Sequence, residues 1–450
     1  MKPSLSKYSP NSQLNPELQK VYIETYGCAS NIQDTQIMKG LLLRAGYDIA
    51  RDPKEADLNV INTCIVKTPT EQRIIHRIRK LQSLGKPLVV AGCMAKAEPE
   101  VVERLAPRAS LVSPRSITRI ADAVNTALKG GRSVFLSDDR AEKPVLPHVR
   151  LNNVVDIVEI SSGCLSSCTF CQTKLARGEL LSYRPDHIRE AVASGLREGC
   201  KEFWLTSQDC SAYGRDLGLD ISLLLKSILD RLPGKYFIRV GMMNPLHFKK
   251  IELLRLAKVY LDHRVFKFLH LCVQSGSDKV LRDMRRGYTV SDFENFVETF
   301  RGVNPRLTLM TDIIVGYPTE DVEDFEETLR LVERVRPDFV NISRFYPRPK
   351  TPAARLKTLP SREVNRRSKI LTELCNEVSY LRNEEWLGWV GEVLVDEVGE
   401  GGEAIGRNFA YRPIALPGTD GRRLLGRFVE VEITEARRHC IVGRIREVLS

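Results

Sequence analysis

The sequence predicts an α/β chain in three parts: an N-terminal parallel-sheet α/β domain, a partial (βα)6 barrel and a small C-terminal β-barrel. Three observations predict it. From Val21 an apolar run followed by a helix-like segment occurs three times: VYIETYG before NIQDTQIMKGLLLRAG, LNVINT before TPTEQRIIHRIRKLQSLG, and PLVVAG before the stretch through VVERL. Six further apolar runs, VVDIVEI, EFWLTS, YFIRVG, FKFLHLCVQ, LTLMTDIIVG and DFVNISRFYP, each separated by a segment able to hold a helix, occupy about 190 residues. From about Trp386 the texture changes to short alternating runs, WVGEVLVDEVG, EAIGRNFAYRPIAL, RFVEVEITEA and CIVGRIREV, with Gly and Pro between them.

Each element follows from its pattern. Residues 1–20 are polar and proline-containing, which reads as a loose leader. Over 21–130, continuous apolar strands alternating with helices imply a parallel sheet covered on both faces. The stretch 131–153 is richer in Gly, Pro and charge and reads as a linker. Residues 154–385 hold the six strand-helix units, too few for a closed eight-unit barrel, which takes about 250 residues. Regularly spaced short strands with turn signals over 386–450 read as a small barrel.

Hydrophobic residues make up 42% and charged residues 28% of the 450, which excludes a fibrous or disordered class. The N-terminus has no apolar h-region and no stretch reaches the roughly 20 apolar residues of a membrane span, so a cytoplasmic protein without membrane contact is expected. A net charge of +11 favours a polyanionic partner. The charge is uneven: ten Lys or Arg lie between Arg336 and Lys369 against only Asp338 and Glu363, a solvated face or arm. Arg348, Lys350, Arg366 and Arg367 in this block are candidates for tracking phosphates. From Gly388 there are nine arginines and ten acidic residues, so RNA binding there would rest on Arg422-Arg423 and Arg437-Arg438 with aromatics such as Phe409 and Tyr411.

Eleven cysteines in a long chain without a secretory signal favour metal binding over a disulfide framework. Cys164, Cys168 and Cys171 form a Cys-x3-Cys-x2-Cys run just after the strand VVDIVEI. Three thiolates on one loop can hold three irons of a 4Fe-4S cluster and leave the fourth open. Structural zinc wants four closed ligands and has no need of this uneven spacing.

The run resembles that of the radical S-adenosylmethionine enzymes, in which it follows the first barrel strand with an aromatic before the third cysteine, here Phe170. The resemblance implies that the open iron chelates S-adenosylmethionine, which is cleaved to a 5′-deoxyadenosyl radical. Ser207 and Gln208, with Asp209, follow the second barrel strand, and Gln274 and Ser275 end the fourth. Polar residues at such ends serve active sites more often than cores, so these are candidate S-adenosylmethionine contacts, with turn formation the alternative for Ser275.

Cys28, Cys64 and Cys93 each follow one of the three N-terminal strands directly. They lie at the carboxyl edge of the proposed sheet, where ligands of open α/β sheets gather. Buried structural cysteines are the plain alternative, but three at equivalent strand ends favour a second cluster. Asn31 and Asp34 open the next helix, where either caps it or serves near the sulfur site, capping being at least as well supported.

These cysteines, with RVGMMNP, HLCVQSGSDKVLRDMRRGYT, TDIIVGYPTE and FYPRPKTPAA in order and a terminal barrel like the TRAM module, resemble the methylthiotransferase family from Val21 onward. The likeness implies two 4Fe-4S clusters, one generating the radical and one at Cys28, Cys64 and Cys93 carrying sulfur, with both open irons facing one cavity. CTFCQTKLARGELLSYRPDHI and RVGMMNP are most similar to the archaeal and eukaryotic branch acting on N6-threonylcarbamoyladenosine at position 37, in the tRNA anticodon loop. Isopentenyl-adenosine and a ribosomal-protein aspartate are the alternative substrates within the family. A non-catalytic iron-sulfur RNA-binding protein is the alternative outside it, disfavoured by the SQD and QSGSD strand ends. The residues name neither the sulfur donor nor the electron donor, and no residue is marked as catalytic.

Overall fold

The computed structural model describes residues 18–66, 68–150 and 152–449; the leader up to residue 17 lies outside the described residues. The first sheet is parallel throughout, with strands β1 (Lys20–Thr25), β2 (Asp48–Ala50), β3 (Leu58–Thr63), β4 (Leu88–Gly92), β5 (Ser110–Val112) and β6 (Val134–Phe135) in the order β2-β1-β3-β4-β5-β6. Every residue of β3 and β4 is buried, because alternate side chains enter two separate cores. Val60, Val89 and Val112 pack with Ile37, Leu42 and Val124 on one face. Ile61, Val90 and Leu111 pack with Ile74, Ile78 and Leu81 on the other. A strand covered on both faces needs no polar alternation, which is why these runs are continuously apolar. The stretch 131–153 does more than connect: β6 extends the sheet edge from within it.

The six strands of the second part are β7 (Val155–Glu159), β10 (Glu202–Thr206), β11 (Phe237–Val240), β12 (Phe268–His270), β13 (Thr308–Val315) and β14 (Phe339–Arg344). They pair in parallel as two three-stranded sheets, joined between β11 and the β12 segment by the bridges Ile238–Val265 and Met243–Leu271. The result is the expected open (βα)6 barrel. Two short antiparallel strands, β8 (Ser161–Ser162) and β9 (Leu181–Ser182), clamp the base of the loop that carries Cys164, Cys168 and Cys171.

The third part is a closed five-stranded barrel of β15 (Val390–Val398), β16 (Ala404–Asn408), β17 (Pro413–Leu416), β18 (Phe428–Ala436) and β19 (Ile441–Val448), in the order β15-β16-β17-β19-β18. Closure leaves no free edge. This barrel docks on the strand-start end of the (βα)6 unit. Phe237 lies 6.3 Å from Phe428, Tyr411 meets Phe266 at 4.8 Å and Phe268 at 4.9 Å, and the Lys267 N–H donates to the Phe409 carbonyl. Buried Asp338 accepts from Arg382 and pairs with Arg412, tying the helix Ser361–Glu384 and the small barrel to the start of β14. Tyr411 packs on Phe266 and Phe268 and Phe409 on Trp386 and Trp389, so both aromatics expected to stack on RNA are half-buried in contacts within the chain.

At this junction burial, reinforced by Asp396, pushes the Glu202 carboxyl up to about 8, and burial pushes Asp396 up to about 6. An acid whose folded pKa is raised holds its proton in the folded chain after the unfolded chain has lost it, so stability falls as pH rises between the two values. Thermal denaturation of the wild-type chain should show a loss on the order of 2 kcal/mol between pH 6 and pH 8. Glu202→Gln, neutral throughout, should flatten that slope; an unchanged slope would place the cause elsewhere.

Candidate active site

The six motif cysteines lie at the carboxyl ends of their sheets. Cys28 precedes the helix Ala29–Arg44, Cys64 follows β3, and Cys93 begins the helix Cys93–Ala97 directly after β4. Three of the six sit behind a glycine in the left-handed region: Gly27 at φ +122°, Gly92 at +89° and Gly163 at +86°. Only glycine adopts such a bend freely, and here no side chain would fit either. A Cβ on Gly27 would lie 2.8 Å from the Cβ of Cys64, one on Gly92 would strike the Thr63 backbone at 2.6 Å, and one on Gly163 would run into the Glu179 carbonyl. The sharp turn off the strand brings each thiol round to the cavity.

One cavity of about 620 Å³ is lined by all six: Cys28, Cys64 and Cys93 from the first sheet, and Cys164, Cys168 and Cys171 from the loop after β7. Phe170, Ser207, Gln208 and Gln274 line it as well. Gln208 bridges the two cysteine sets, accepting from the Gly163 N–H at 2.7 Å and donating to Ser30 Oγ at 3.3 Å. Gln274 holds φ +73°, a strained conformation for a residue with a side chain, at the point where its backbone pairs with β13. Ser275 is absent from the lining; fully buried, its hydroxyl accepts from the Ser277 N–H, so it stabilises the turn and does not face the cavity.

Each cysteine set offers three sulfur donors and an open side toward the cavity, the donor chemistry that a 4Fe-4S cluster with one uncovered iron requires. Burial pushes the thiols of Cys93 and Cys164 up to about 12, so thiolate ligation there calls for positive charge nearby. The cavity supplies it. Arg286 donates to Cys168 Sγ at 3.1 Å and to the Tyr288 hydroxyl at 2.9 Å, while Arg177 lies beside the other set. A second support carries the first loop from below: Ser166 Oγ lies 3.3 Å from His247 Nε2, which is 3.3 Å from Asp209.

Several functional side chains escape sequence reasoning. Arg286 lies inside a quoted motif, but nothing local distinguishes a buried arginine from its exposed neighbours. Cys272, which has no cysteine partner at motif spacing, lines the cavity beside His270 and Asp312. Burial pushes the Asp312 carboxyl up, but hydrogen bonds from His270 at 2.7 Å and Cys272 outweigh it and hold the group at about 2.

Other expectations are corrected by contacts. Asn31 and Asp34 cap nothing: the helix has no side-chain cap, and both residues are fully buried. Arg348 is buried against Glu71, Lys350 pairs with Glu100 at 2.9 Å, and Arg367 pairs with Glu320 and Glu363 at 2.7 Å. These cations bind other parts of the chain, which removes Arg348 and Arg367 from the phosphate-tracking candidates.

Gly163→Ala and Gly46→Ala separate the two demands on glycine. Gly46 has φ +86° but open space around its Cβ position, so its substitution should cost about 1–2 kcal/mol of strain and leave iron binding intact. Gly163→Ala should cost more and abolish iron binding by the first set, read by melting and iron analysis of anaerobically reconstituted protein; equal effects of the two would refute the steric reading.

Three family models match the chain: the Uncharacterized protein family UPF0004 over residues 20–113, the Radical SAM superfamily over 158–332 and the TRAM domain over 387–445. A probable threonylcarbamoyladenosine tRNA methylthiotransferase from Pyrococcus horikoshii is 41% identical over 429 residues, covering 95% of this chain and 99% of the relative. The threonylcarbamoyladenosine tRNA methylthiotransferase of Danio rerio is 38% identical over 440 residues, covering 95% and 79%. Among solved structures, the radical S-adenosylmethionine methyltransferase TsrM from Kitasatospora setae superimposes with a TM-score of 0.56 at 14% identity, covering 75% of this chain and 77% of that one, a likeness of fold. The radical superfamily brings one 4Fe-4S cluster and S-adenosylmethionine, the terminal barrel is a TRAM domain, and no helix among the described residues is long and apolar enough to cross a membrane. On relatives this similar along nearly its whole length, the chain belongs to the threonylcarbamoyladenosine tRNA methylthiotransferase family.

Proposed function

We propose that this chain adds a methylthio group to C2 of N6-threonylcarbamoyladenosine at position 37 of the tRNA anticodon loop, in the cytoplasm. The observation that carries the reading is the single cavity onto which both three-cysteine sets open. Cys164, Cys168 and Cys171 hold the radical-generating 4Fe-4S cluster, and Cys28, Cys64 and Cys93 hold a second. When bound, these clusters and S-adenosylmethionine supply the 5′-deoxyadenosyl radical and the sulfur.

The protein's own contribution is orientation and exclusion of water from a reactive radical. A shared cavity suits this chemistry because a short-lived carbon radical must meet its sulfur source without diffusing. Phe170, Ser207, Gln208 and Gln274 form the wall beside the first set and are the proposed S-adenosylmethionine contacts. The wall built by β12–β14 presents His270, Asp312, Asn341 and Ser343. Those polar groups suit the hydrogen-bonding threonylcarbamoyl arm better than a hydrocarbon isopentenyl group, because a buried polar group left without a partner costs about 1–3 kcal/mol.

The test is mass spectrometry of nucleosides from tRNA incubated anaerobically with reconstituted enzyme, reductant, sulfide and S-adenosylmethionine. The methylthio derivative of threonylcarbamoyl-adenosine is expected; its absence while 5′-deoxyadenosine still forms would reject the substrate. Cys168→Ala should abolish 5′-deoxyadenosine release, whereas Cys64→Ala should retain release and lose the methylthio product. Equal loss of both activities in both variants would contradict the division of labour.

A further inference from the structure

Arg177 belongs by sequence to the radical half of the molecule, at the end of the helix Thr173–Arg177 that follows Cys171, yet its guanidinium reaches the other half. Nη2 donates to Asn31 Oδ1 and Asp34 Oδ2, both at 2.8 Å, and Nη1 donates to Glu159 Oε1 at 2.9 Å. Its side chain is 1% exposed, and part of it lines the cavity. Lys143 completes the group by pairing with Asp34 and with Glu159 at 2.9 Å. Two cations and two carboxylates thus balance in a space closed to water.

Asn31 is the point where this group meets the cysteines. Its Nδ2 donates to the Tyr26 and Thr63 carbonyls, both at 2.8 Å, and its own carbonyl accepts from Asn62 Nδ2 at the same distance. One side chain thereby ties the loop before Cys28 to the loop before Cys64. Its Oδ1, fixed by Arg177, lies 3.9 Å from Cys28 Sγ and 3.8 Å from Cys93 Sγ. Arg177 thus reaches the cysteines through one intervening amide oxygen.

The geometry points to Arg177 and Asn31 as the positioning pair of the second cysteine set: Asn31 fixes the spacing of the ligand segments, and Arg177 orients Asn31 and brings a buried guanidinium up to that set. The inference rests on the reading that Cys28, Cys64 and Cys93 hold a 4Fe-4S cluster. A cation at this place favours the more electron-rich state of a nearby cluster, so its loss moves the reduction potential of the second cluster to more negative values. The first cluster has Arg286 as its own cation and should be unaffected.

Lys143 provides the control. Lys143→Gln removes the same formal charge from the same buried group but leaves Asn31 held, since Lys143 bonds only Asp34 and Glu159. The experiment compares wild type, Arg177→Gln, Arg177→Lys, Lys143→Gln and Asn31→Ala after anaerobic reconstitution with iron and sulfide, by iron content and by redox titration followed with electron paramagnetic resonance. Arg177→Gln and Asn31→Ala should hold the second cluster about 10- to 100-fold less tightly, the usual cost of losing an outer-shell partner. Whatever second cluster Arg177→Gln retains should titrate at more negative potential. Arg177→Lys should keep the potential while losing part of the retention, and all variants should still release 5′-deoxyadenosine. Arg177→Gln matching Lys143→Gln in both iron content and potential would overturn the inference, as would an Asn31→Ala chain indistinguishable from wild type. Failure of the underlying reading looks different: the wild-type chain would bind about four irons, not about eight.

Discussion

Two parallel sheets face each other across one cavity, carboxyl ends inward, and the buried group of Arg177, Lys143, Asp34 and Glu159 holds them in that relation. Asp34 comes from the first helix, Lys143 from the connecting segment, Glu159 from the end of β7 and Arg177 from beyond the loop of Cys164, Cys168 and Cys171. Charges taken out of water are costly unless well paired, so each partner tolerates little displacement once the others are in place. The distance between the two cysteine sets is therefore fixed by the fold as a whole.

The same economy of placement explains the far end of the molecule. The small barrel closes the strand-start end of the (βα)6 unit, where Tyr411 sits among Phe266, Phe268 and Arg239. In barrels of this kind chemistry belongs to the carboxyl ends of the strands and stability to the other end. The docking obeys that division, leaving the cysteine end free for substrate. The outer surface of the small barrel exposes Arg422, Arg423, Arg437 and Arg438. Within the basic block between Arg336 and Lys369, Arg348 and Arg367 are buried against Glu71, Glu320 and Glu363, whereas Lys350 stays half exposed.

Two arginines, one for each cysteine set, divide a common task by different routes. Arg286 touches a sulfur directly, whereas Arg177 acts through Asn31. Between them Gln208 bonds the backbone before Cys164 and the hydroxyl of Ser30, so the two ligand loops share a hydrogen-bonded frame as well as a cavity. A frame of this kind suits chemistry in which two reactive centres must meet within one enclosed space.

The elements and the cysteine positions are legible in the chain before it folds. Continuous apolar runs mark strands covered on both faces, short alternating runs mark the terminal barrel, and cysteines directly after strands or at tight spacing must lie at sheet ends, because strand direction and the period of the backbone are local properties. Ser207, Gln208 and Gln274, read from strand ends, and Phe170, read from the resemblance of the cysteine run, all line the cavity. The remainder came from contacts between distant segments: that Ser275 turns away, that Asn31 and Asp34 serve Arg177 in place of the helix end, that Arg348 is buried against Glu71, and that His270, Cys272 and Asp312 converge. The physical reason is common to all of them. Whether a polar side chain is buried depends on a partner supplied from far along the chain, and no local pattern encodes that partner.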